Sequence, residues 1–385
     1  MPRRSHKVAK TGFFHMIQTL TISNFRNHVA SRVHTGGAKT IIITGPNGSG
    51  KTSILEAIST LSAGSGLRSA KMDEILTLPA ASRHPSAGGE LPPSGFGVVA
   101  QLQNETQLSV SWNAGETHRR ARADGDNIPL SSLSEHLRMI WITPREDRIF
   151  MDDKSDRRQF FDRLVSAFDP KHSGRTARLS KLLSERAHIL KSRCSASESG
   201  WLCAIEKQIA EVAVAVAAAR VKYVGEINFF LSDAGYKTSI KGRLEQAFST
   251  GKFASEIEHE YIKYLSNERP LVHDKMTIDG AHKSDFYMHN ESLNMDVSMT
   301  STGQQKSALI TLVVAHAKLI AARTGAVPLI LLDEAAAHLD LDARKNLFDA
   351  LSETGAQVWA TGIDASLFDG IDGAKFIACE NGTII

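Results

Sequence analysis

The segment Gly45-Pro46-Asn47-Gly48-Ser49-Gly50-Lys51-Thr52 constrains this chain more than any other feature. It has the form GxxxxGK[ST], a glycine-rich turn whose successive backbone N–H groups cradle phosphate oxygens. Thr40 to Thr44 before it reads as a strand. The residues after it read as a helix with Ile54, Leu55 and Ile58 on one face. That strand–turn–helix context is what the pattern requires, and the helix presents its positive end to the anion. Lys51 is expected to reach the β and γ phosphates of ATP, and Thr52 to hold Mg²⁺. Residues Gly45 to Ser53 are together the expected nucleotide-binding loop.

Two further segments belong with it. Val327 to Leu332 is a continuous apolar run that ends in Asp333-Glu334, the look of a buried parallel strand with acids at its tip. Asp333 is in place to assist Mg²⁺, and Glu334 to orient and deprotonate an attacking water. These two acids and Lys51 are the expected catalytic residues. Ser301-Thr302-Gly303-Gln304-Gln305 opens a long helical pattern that Thr324-Gly325 and Pro328 stop. Ser301 is expected to cap that helix, whose free N–H groups make an anion site.

The rest of the 385 residues divide by texture. Residues 16–150 begin with an alternating strand from Ile17 and close with a small antiparallel meander between Phe96 and Asn127. Residues 80–96 are rich in Pro and Gly and read as a surface loop. Residues 151–275 are mostly helical, without sustained heptads and so without a long coiled coil. Residues 276–385 return to α/β texture and end in a hairpin. The fold class is therefore α/β: one discontinuous domain with an inserted, mostly helical lobe.

Composition excludes several classes. With 42% hydrophobic and 23% charged residues the chain is an ordinary globular one. The longest apolar runs, Ala213–Ala219 and Ala308–Ala315, fall short of the roughly 18 residues a membrane span needs. Cys194, Cys203 and Cys379 form no CxxC pair, which fits a reducing compartment, the cytoplasm. Arg3, Arg4, Lys7 and Lys10 supply four of the 45 basic residues, so residues 16–385 carry 41 basic against 42 acidic. Net charge is thus no argument for nucleic-acid binding. The leader 1–15 is expected to be a disordered or non-native extension, with Met16 a candidate start.

In combination, the phosphate loop, the Ser301 segment and Asp333-Glu334 resemble the core of ABC-type ATPases. That resemblance makes Ser301, Gly303 and Gln304 a signature motif and puts Asp340 in the D-loop. In that class the signature of one subunit caps the nucleotide held by the other, so ATP joins a head-to-tail dimer. The separation of 249 positions from Thr52 to Ser301 argues against a transporter subunit. So does Thr361, which stands where transporter ATPases carry a His.

Within the class the chain resembles the bacterial RecF family. The matching stretches are Leu20 to Asn27, Gly66-Leu67-Arg68, Ile142 to Asp147, Ser155 to Asp162, Asp279 to Asp285, Ser301 to Lys306 and the terminal hairpin. Where the family commonly has Gly-Pro-His-Arg-Asp-Asp, this chain has Gly280-Ala281-His282-Lys283-Ser284-Asp285. No clear Q-loop glutamine is present, and Glu146 or Asp147 stands about where it is expected. The resemblance implies a slow, DNA-stimulated ATPase switch that dimerises with ATP. It implies binding to double-stranded and single-stranded DNA, and action with RecR and RecO to place RecA on gaps. It further implies roles in recombinational repair, replication restart and the SOS response. An ATPase of a nuclease-linked defence system is the alternative reading.

Residue by residue, the resemblance places Arg26 and Asn27 beside the nucleotide, with Phe25 either flanking the base or in the core. Residues 154–193 hold 11 Lys or Arg against 4 acids, an excess able to neutralise phosphates. Arg68, Arg157 and Arg158 are the expected DNA contacts. No aromatic interleaving for single-strand stacking is visible, so contact through the duplex backbone is favoured.

Overall fold

The computed structural model describes residues 16–64, 66–68, 70–76, 94–191, 196–269, 278–334 and 341–385. The leader, residues 80–93 of the Pro/Gly-rich segment, Cys194 and Asp340 lie outside these.

In chain order the first elements are β1 Ile17–Phe25, β2 His28–His34, β3 Thr40–Thr44, α1 Lys51–Ser59 and α2 Met72–Ile75. The meander follows as β4 Gly95–Leu102, β5 Gln107–Asn113, β6 Arg120–Ala123 and β7 Asp126–Ile128. Then come α3 Leu133–His136, β8 Met139–Ile142, α4 Lys154–Phe168, α5 His172–Lys191 and α6 Ala196–Ser232. Next are β9 Tyr236–Lys241, α7 Arg243–Ser249, α8 Ala254–Asn267, β10 Asp285–Asn290 and β11 Met295–Asp296. The chain closes with α9 Thr302–Thr324, β12 Leu329–Leu332, α10 Leu341–Glu353, β13 Val358–Gly362, β14 Ala374–Glu380 and β15 Thr383–Ile384.

Two six-stranded sheets carry the α/β domain. One runs β2-β1-β4-β5-β6-β7 and is antiparallel throughout. The other runs β15-β14-β3-β13-β12-β8, with β14, β3, β13, β12 and β8 parallel. Alternation along the parallel strands feeds two cores at once. Ile41, Ile43, Leu329 and Leu331 face the antiparallel sheet and meet Leu20, Ile22, Val98 and Ile58. Ile42, Ile330 and Leu332 face the other way and meet Leu312 and Val313 of α9 and Phe161 of α4. Truncating a fully buried residue such as Leu331 to Ala should cost about 2–5 kcal/mol.

The inserted lobe has its own core, in which Leu179 and Leu182 of α5, Ile205 and Ile209 of α6, and Tyr261 and Leu265 of α8 pack together. It also contains a strand that the helical texture does not reveal. β9 pairs antiparallel with β10 over six residues, which joins the inserted block to the chain beyond position 276. The sequence Tyr-Lys-Thr-Ser-Ile-Lys buries only Thr238 fully, so no apolar period announces it. β8 is too short for periodicity, yet all four of its residues are buried between β12 and α4.

Helix α9 is long and apolar enough to cross a membrane by length and composition alone. Here half of it is buried, with Ala308, Leu309, Leu312 and Val313 in the core described above. Its ends follow capping rules. Ser301 Oγ accepts from Gln304 N, and Gln304 Oε1 accepts in return from Ser301 N at 3.1 Å. Gly325 closes it at φ 70°.

Candidate nucleotide site

The phosphate loop joins β3 to α1 at the C-terminal end of the parallel sheet, where such folds place ligands. Three of its glycines have left-handed φ: Gly45 (150°), Gly48 (81°) and Gly50 (115°). At Gly45 a Cβ would stand 2.1 Å from the Cys379 carbonyl oxygen. At Gly50 it would stand 2.6 Å from His28 Nε2. Gly45 and Gly50 are thus required by close neighbours as well as by backbone torsion, and Gly48 by torsion alone.

Those neighbours come from both ends of the chain. The Ser49 carbonyl accepts from Asn27 Nδ2 at 2.9 Å, from Gly382 N at 2.8 Å and from Cys379 Sγ at 3.3 Å. His28 is fully buried, and burial holds its pKa below the ordinary histidine value. In the neutral ring Nε2 donates to the Gly50 carbonyl at 3.1 Å and Nδ1 accepts from Ser31 at 2.8 Å. The β1–β2 turn and the terminal hairpin therefore fix the loop from outside. Cys379 and Gly382 lie in the terminal hairpin that marked the resemblance, but nothing in the sequence, for them or for His28, pointed to contact with this loop.

A cleft of about 670 Å³ opens over the loop. Asn47, Gly48, Gly50, Lys51, Thr52 and Ser53 form its floor, and Arg26, Asn27, Arg68 and Glu334 its rim. Lys51 Nζ donates to the carbonyls of Gly45 (2.7 Å) and Pro46 (2.9 Å), so the cation lies folded along the loop. Arg26 grips Glu56 of α1 with two hydrogen bonds, at 2.9 and 2.7 Å, and donates to the Glu74 carbonyl at 2.7 Å. Arg68 Nη1 lies 3.9 Å from the same carboxylate. Glu56 is 2% exposed and organises both arginines. Glu56 falls away from the Ile54, Leu55 and Ile58 face of α1, so the apolar pattern gave no sign of it. Phe25 is fully buried, edge-on to Phe96, and belongs to the core.

Asp333 stands across from Thr52. Its Oδ1 accepts from Thr52 Oγ1 and from Thr361 Oγ1, both at 2.8 Å. Burial pushes its pKa up, and the two hydroxyls pull it back only in part. Glu334 has φ 52°, uncommon outside glycine, and its N–H donates to Thr361 Oγ1 at 2.9 Å. Thr361, noted in the sequence only as a missing histidine, is thus the hydroxyl that ties both acids to β13.

Ser301, Gly303 and Gln304 are exposed at the start of α9 and do not line this cleft. Glu146 is buried, accepting from Thr143 N and Oγ1 at 2.8 and 2.5 Å and from Arg163 at 2.8 Å. Asp147 pairs with Lys306, behind the signature residues, at 3.0 Å. Arg157 holds Asp285 through two bonds at 2.9 and 2.7 Å, and Arg158 donates to the Ser284 carbonyl at 3.0 Å. Both are engaged within the chain. Three more cations of residues 154–193 are likewise paired, in Arg163–Glu146, Arg175–Asp169 and Arg186–Glu206.

The family described as RecF/RecN/SMC N terminal domain matches residues 16–384. The DNA replication and repair protein RecF of Rhizobium leguminosarum bv. trifolii (strain WSM2304) is 34% identical over 378 residues, 96% of this chain and 98% of that protein. The chain belongs to the RecF family. RecF of Mesorhizobium japonicum is 35% identical over 383 residues, covering 96% and 97%. A structure of the recombination mediator RecF, solved as RecF-ATPrS, superposes with TM-score 0.80 at 20% identity over 96% of this chain and 97% of that one. An Smc head domain from Pyrococcus furiosus reaches TM-score 0.51 at 15% identity, covering 96% and 94%. The fold is accordingly the mixed α/β ATPase head that RecF and SMC proteins share.

Proposed function

We propose that this RecF-family chain is an ATP-driven DNA-binding switch of recombinational repair. It would dimerise around ATP on duplex or gapped DNA and help partners of the RecO and RecR type load RecA in the cytoplasm. The observation that carries the reading is the hydrogen bond between Thr52 of the phosphate loop and Asp333 of β12. It joins a phosphate cradle to a buried acid, while the capped start of α9 stays exposed and outside its own cleft.

The donors present suit Mg²⁺, a hard cation that takes oxygen ligands and keeps several waters. The Thr52 hydroxyl and the Asp333 carboxylate would hold it, and the burial that raises the Asp333 pKa is relieved by a cation. When bound, Mg²⁺ neutralises charge on the β and γ phosphate oxygens. Lys51 would leave the Gly45 and Pro46 carbonyls for those oxygens. The loop N–H groups would orient the chain of phosphates. Glu334, at the cleft rim, would take the proton of the attacking water. Ser301, Gly303 and Gln304 of a second copy would close the cleft, giving a dimer that persists until hydrolysis.

The test uses sizing with light scattering and binding to a gapped duplex. Glu334→Gln with ATP and Mg²⁺ should accumulate as a dimer, and Lys51→Ala should lose ATP-dependent DNA binding. A Glu334→Gln protein that stays monomeric, or a Lys51→Ala protein that binds DNA like the wild type, overturns the reading.

A further inference from the structure

Away from the nucleotide cleft, a recess of about 500 Å³ lies between β8, at the edge of the parallel sheet, and helices α4 and α5. Arg138, Met139 and Trp141 line it from the sheet side, Phe160 and Arg163 from α4, and Ala177 from α5. Its volume falls in the range that small-molecule sites occupy.

The carboxylates among the described lining residues already have partners. Glu146 accepts from Thr143 and Arg163, and Asp156 from Arg145 at 2.6 Å. Asp162 is held by Arg220 and His172.

Arg138 is different. It is partly buried, its guanidinium enters no ion pair among the described residues, and its Nε is buried without a hydrogen-bond partner. Burial pushes its pKa below the ordinary arginine value, and the exposed Glu135 offsets this only in part. Trp141 is 5% exposed, and its Nε1 is likewise buried with no acceptor. The Arg163 guanidinium, 4.6 Å from the centre of the Trp141 ring, holds that ring in place. Arg163 spends Nη2 on Glu146 and on the Trp141 carbonyl, while its Nε has no partner.

A buried donor without an acceptor costs free energy, and an unpaired cation costs more. Folded chains keep few such groups. Here three of them belong to residues that line one recess, and all three are N–H donors. Their complement is a group that only accepts, and the charge of Arg138 selects an anion. Leu67, Met139, Ile149 and Phe160 add apolar lining.

We infer that this recess binds a small anion with an apolar body, an alkyl or aryl acid whose head pairs with Arg138. The inference stands apart from the DNA-binding reading. Leu67 lines the recess and the next residue, Arg68, rims the nucleotide cleft, so an occupant would sit beside the segment that the two sites share.

The experiment titrates the intact protein with anilinonaphthalene sulfonate and reads its fluorescence. Phenylnaphthylamine, the same rings without the sulfonate, is the neutral control. The wild type should bind the sulfonate at one saturable site that ATP and Mg²⁺ do not displace, and bind the neutral probe about tenfold more weakly. Arg138→Gln should lose about tenfold in sulfonate affinity and leave the neutral probe unchanged. Trp141→Phe keeps a ring, removes the N–H and should lose about threefold. Because Arg138 makes no hydrogen bond or ion pair within the chain, Arg138→Gln should melt at or above the wild-type temperature. Equal affinities for the two probes, wild-type sulfonate affinity in Arg138→Gln, or displacement by ATP and Mg²⁺ each overturn the assignment, as does a wild type with no saturable site.

Discussion

Thr361 donates its hydroxyl hydrogen to Asp333 Oδ1 at 2.8 Å, the oxygen that also accepts from Thr52. The same hydroxyl accepts from the N–H of Glu334 at 2.9 Å. One side chain on β13 therefore sets the positions of both acids at the tip of β12. Thr361→Val keeps shape and removes the hydroxyl. It leaves the Glu334 N–H without its acceptor, a loss of about 1–3 kcal/mol. Mg²⁺-dependent ATP turnover should fall by about tenfold, while nucleotide binding without Mg²⁺ is retained and Thr361→Ser behaves as wild type. Wild-type turnover in the valine variant would show that Thr361 does not govern the acids.

Gly382 sits in the terminal hairpin at φ 77°, and its N–H donates to the Ser49 carbonyl of the phosphate loop at 2.8 Å. A Cβ there would stand 2.0 Å from the Asn27 carbonyl oxygen. Gly382→Ala thus combines torsional strain with a backbone clash, and should cost about 1–3 kcal/mol. The damage should reach the nucleotide, since the β1–β2 turn and the hairpin both brace Ser49. Affinity for ATP should drop by about tenfold, measured by titration of a fluorescent analogue on protein shown by circular dichroism to be folded. An alanine variant with unchanged affinity would mean that the hairpin does not hold the loop.

Asp162 ties the inserted lobe together. It accepts from Arg220 through two bonds at 2.8 Å and from His172 at 2.8 Å. Burial alone would raise its pKa, but Arg220 and His172 prevail and bring it down to about 2. The native carboxylate therefore resists protonation more than the unfolded one does. Its stabilisation is present above the unfolded value of 3.8 and is lost as pH falls from there toward 2. Asp162→Asn leaves Arg220, 2% exposed, with Glu245 as its remaining acid among the described residues, and should cost about 3–5 kcal/mol at neutral pH. Urea unfolding should show that gap near pH 7 and a smaller one near pH 3. A gap that stays constant with pH would place the energy elsewhere.

The candidate nucleotide site was legible where chemistry demands a local pattern. The phosphate loop, the apolar run into Asp333-Glu334 and the Ser301 cap each need particular residues a few positions apart. The braces were not legible, because His28, Cys379 and Gly382 act through single contacts made across most of the chain. β9 was hidden for a different reason: its partner β10 begins 44 residues after it ends, and its own faces are half polar. The basic excess of residues 154–193 was visible, but the ion pairs that engage Arg157, Arg163, Arg175 and Arg186 were not. Pairing with Glu146, Asp169, Glu206 and Asp285 depends on the tertiary fold.

The exposed start of α9 makes a distinct demand on the assembly. Ser301, Gly303 and Gln304 lie outside their own cleft, and the proposed dimer would bring them to the cleft of a second copy. Lys51→Ala disables the loop of its own chain and leaves the signature intact. Ser301→Arg places a bulky cation at the signature and leaves the loop intact. Each protein alone should hydrolyse ATP at background rate. In a mixed dimer one site joins both lesions and the other joins an intact loop to an intact signature. At equal concentrations, random pairing makes half the dimers mixed, with one of two sites working, so activity should recover to about a quarter of the wild-type rate. A malachite-green phosphate assay on the mixture reads this directly. No recovery, with sizing showing that the two proteins do pair in ATP, would rule out a site shared between chains. It would return the whole reaction to the cleft of a single molecule.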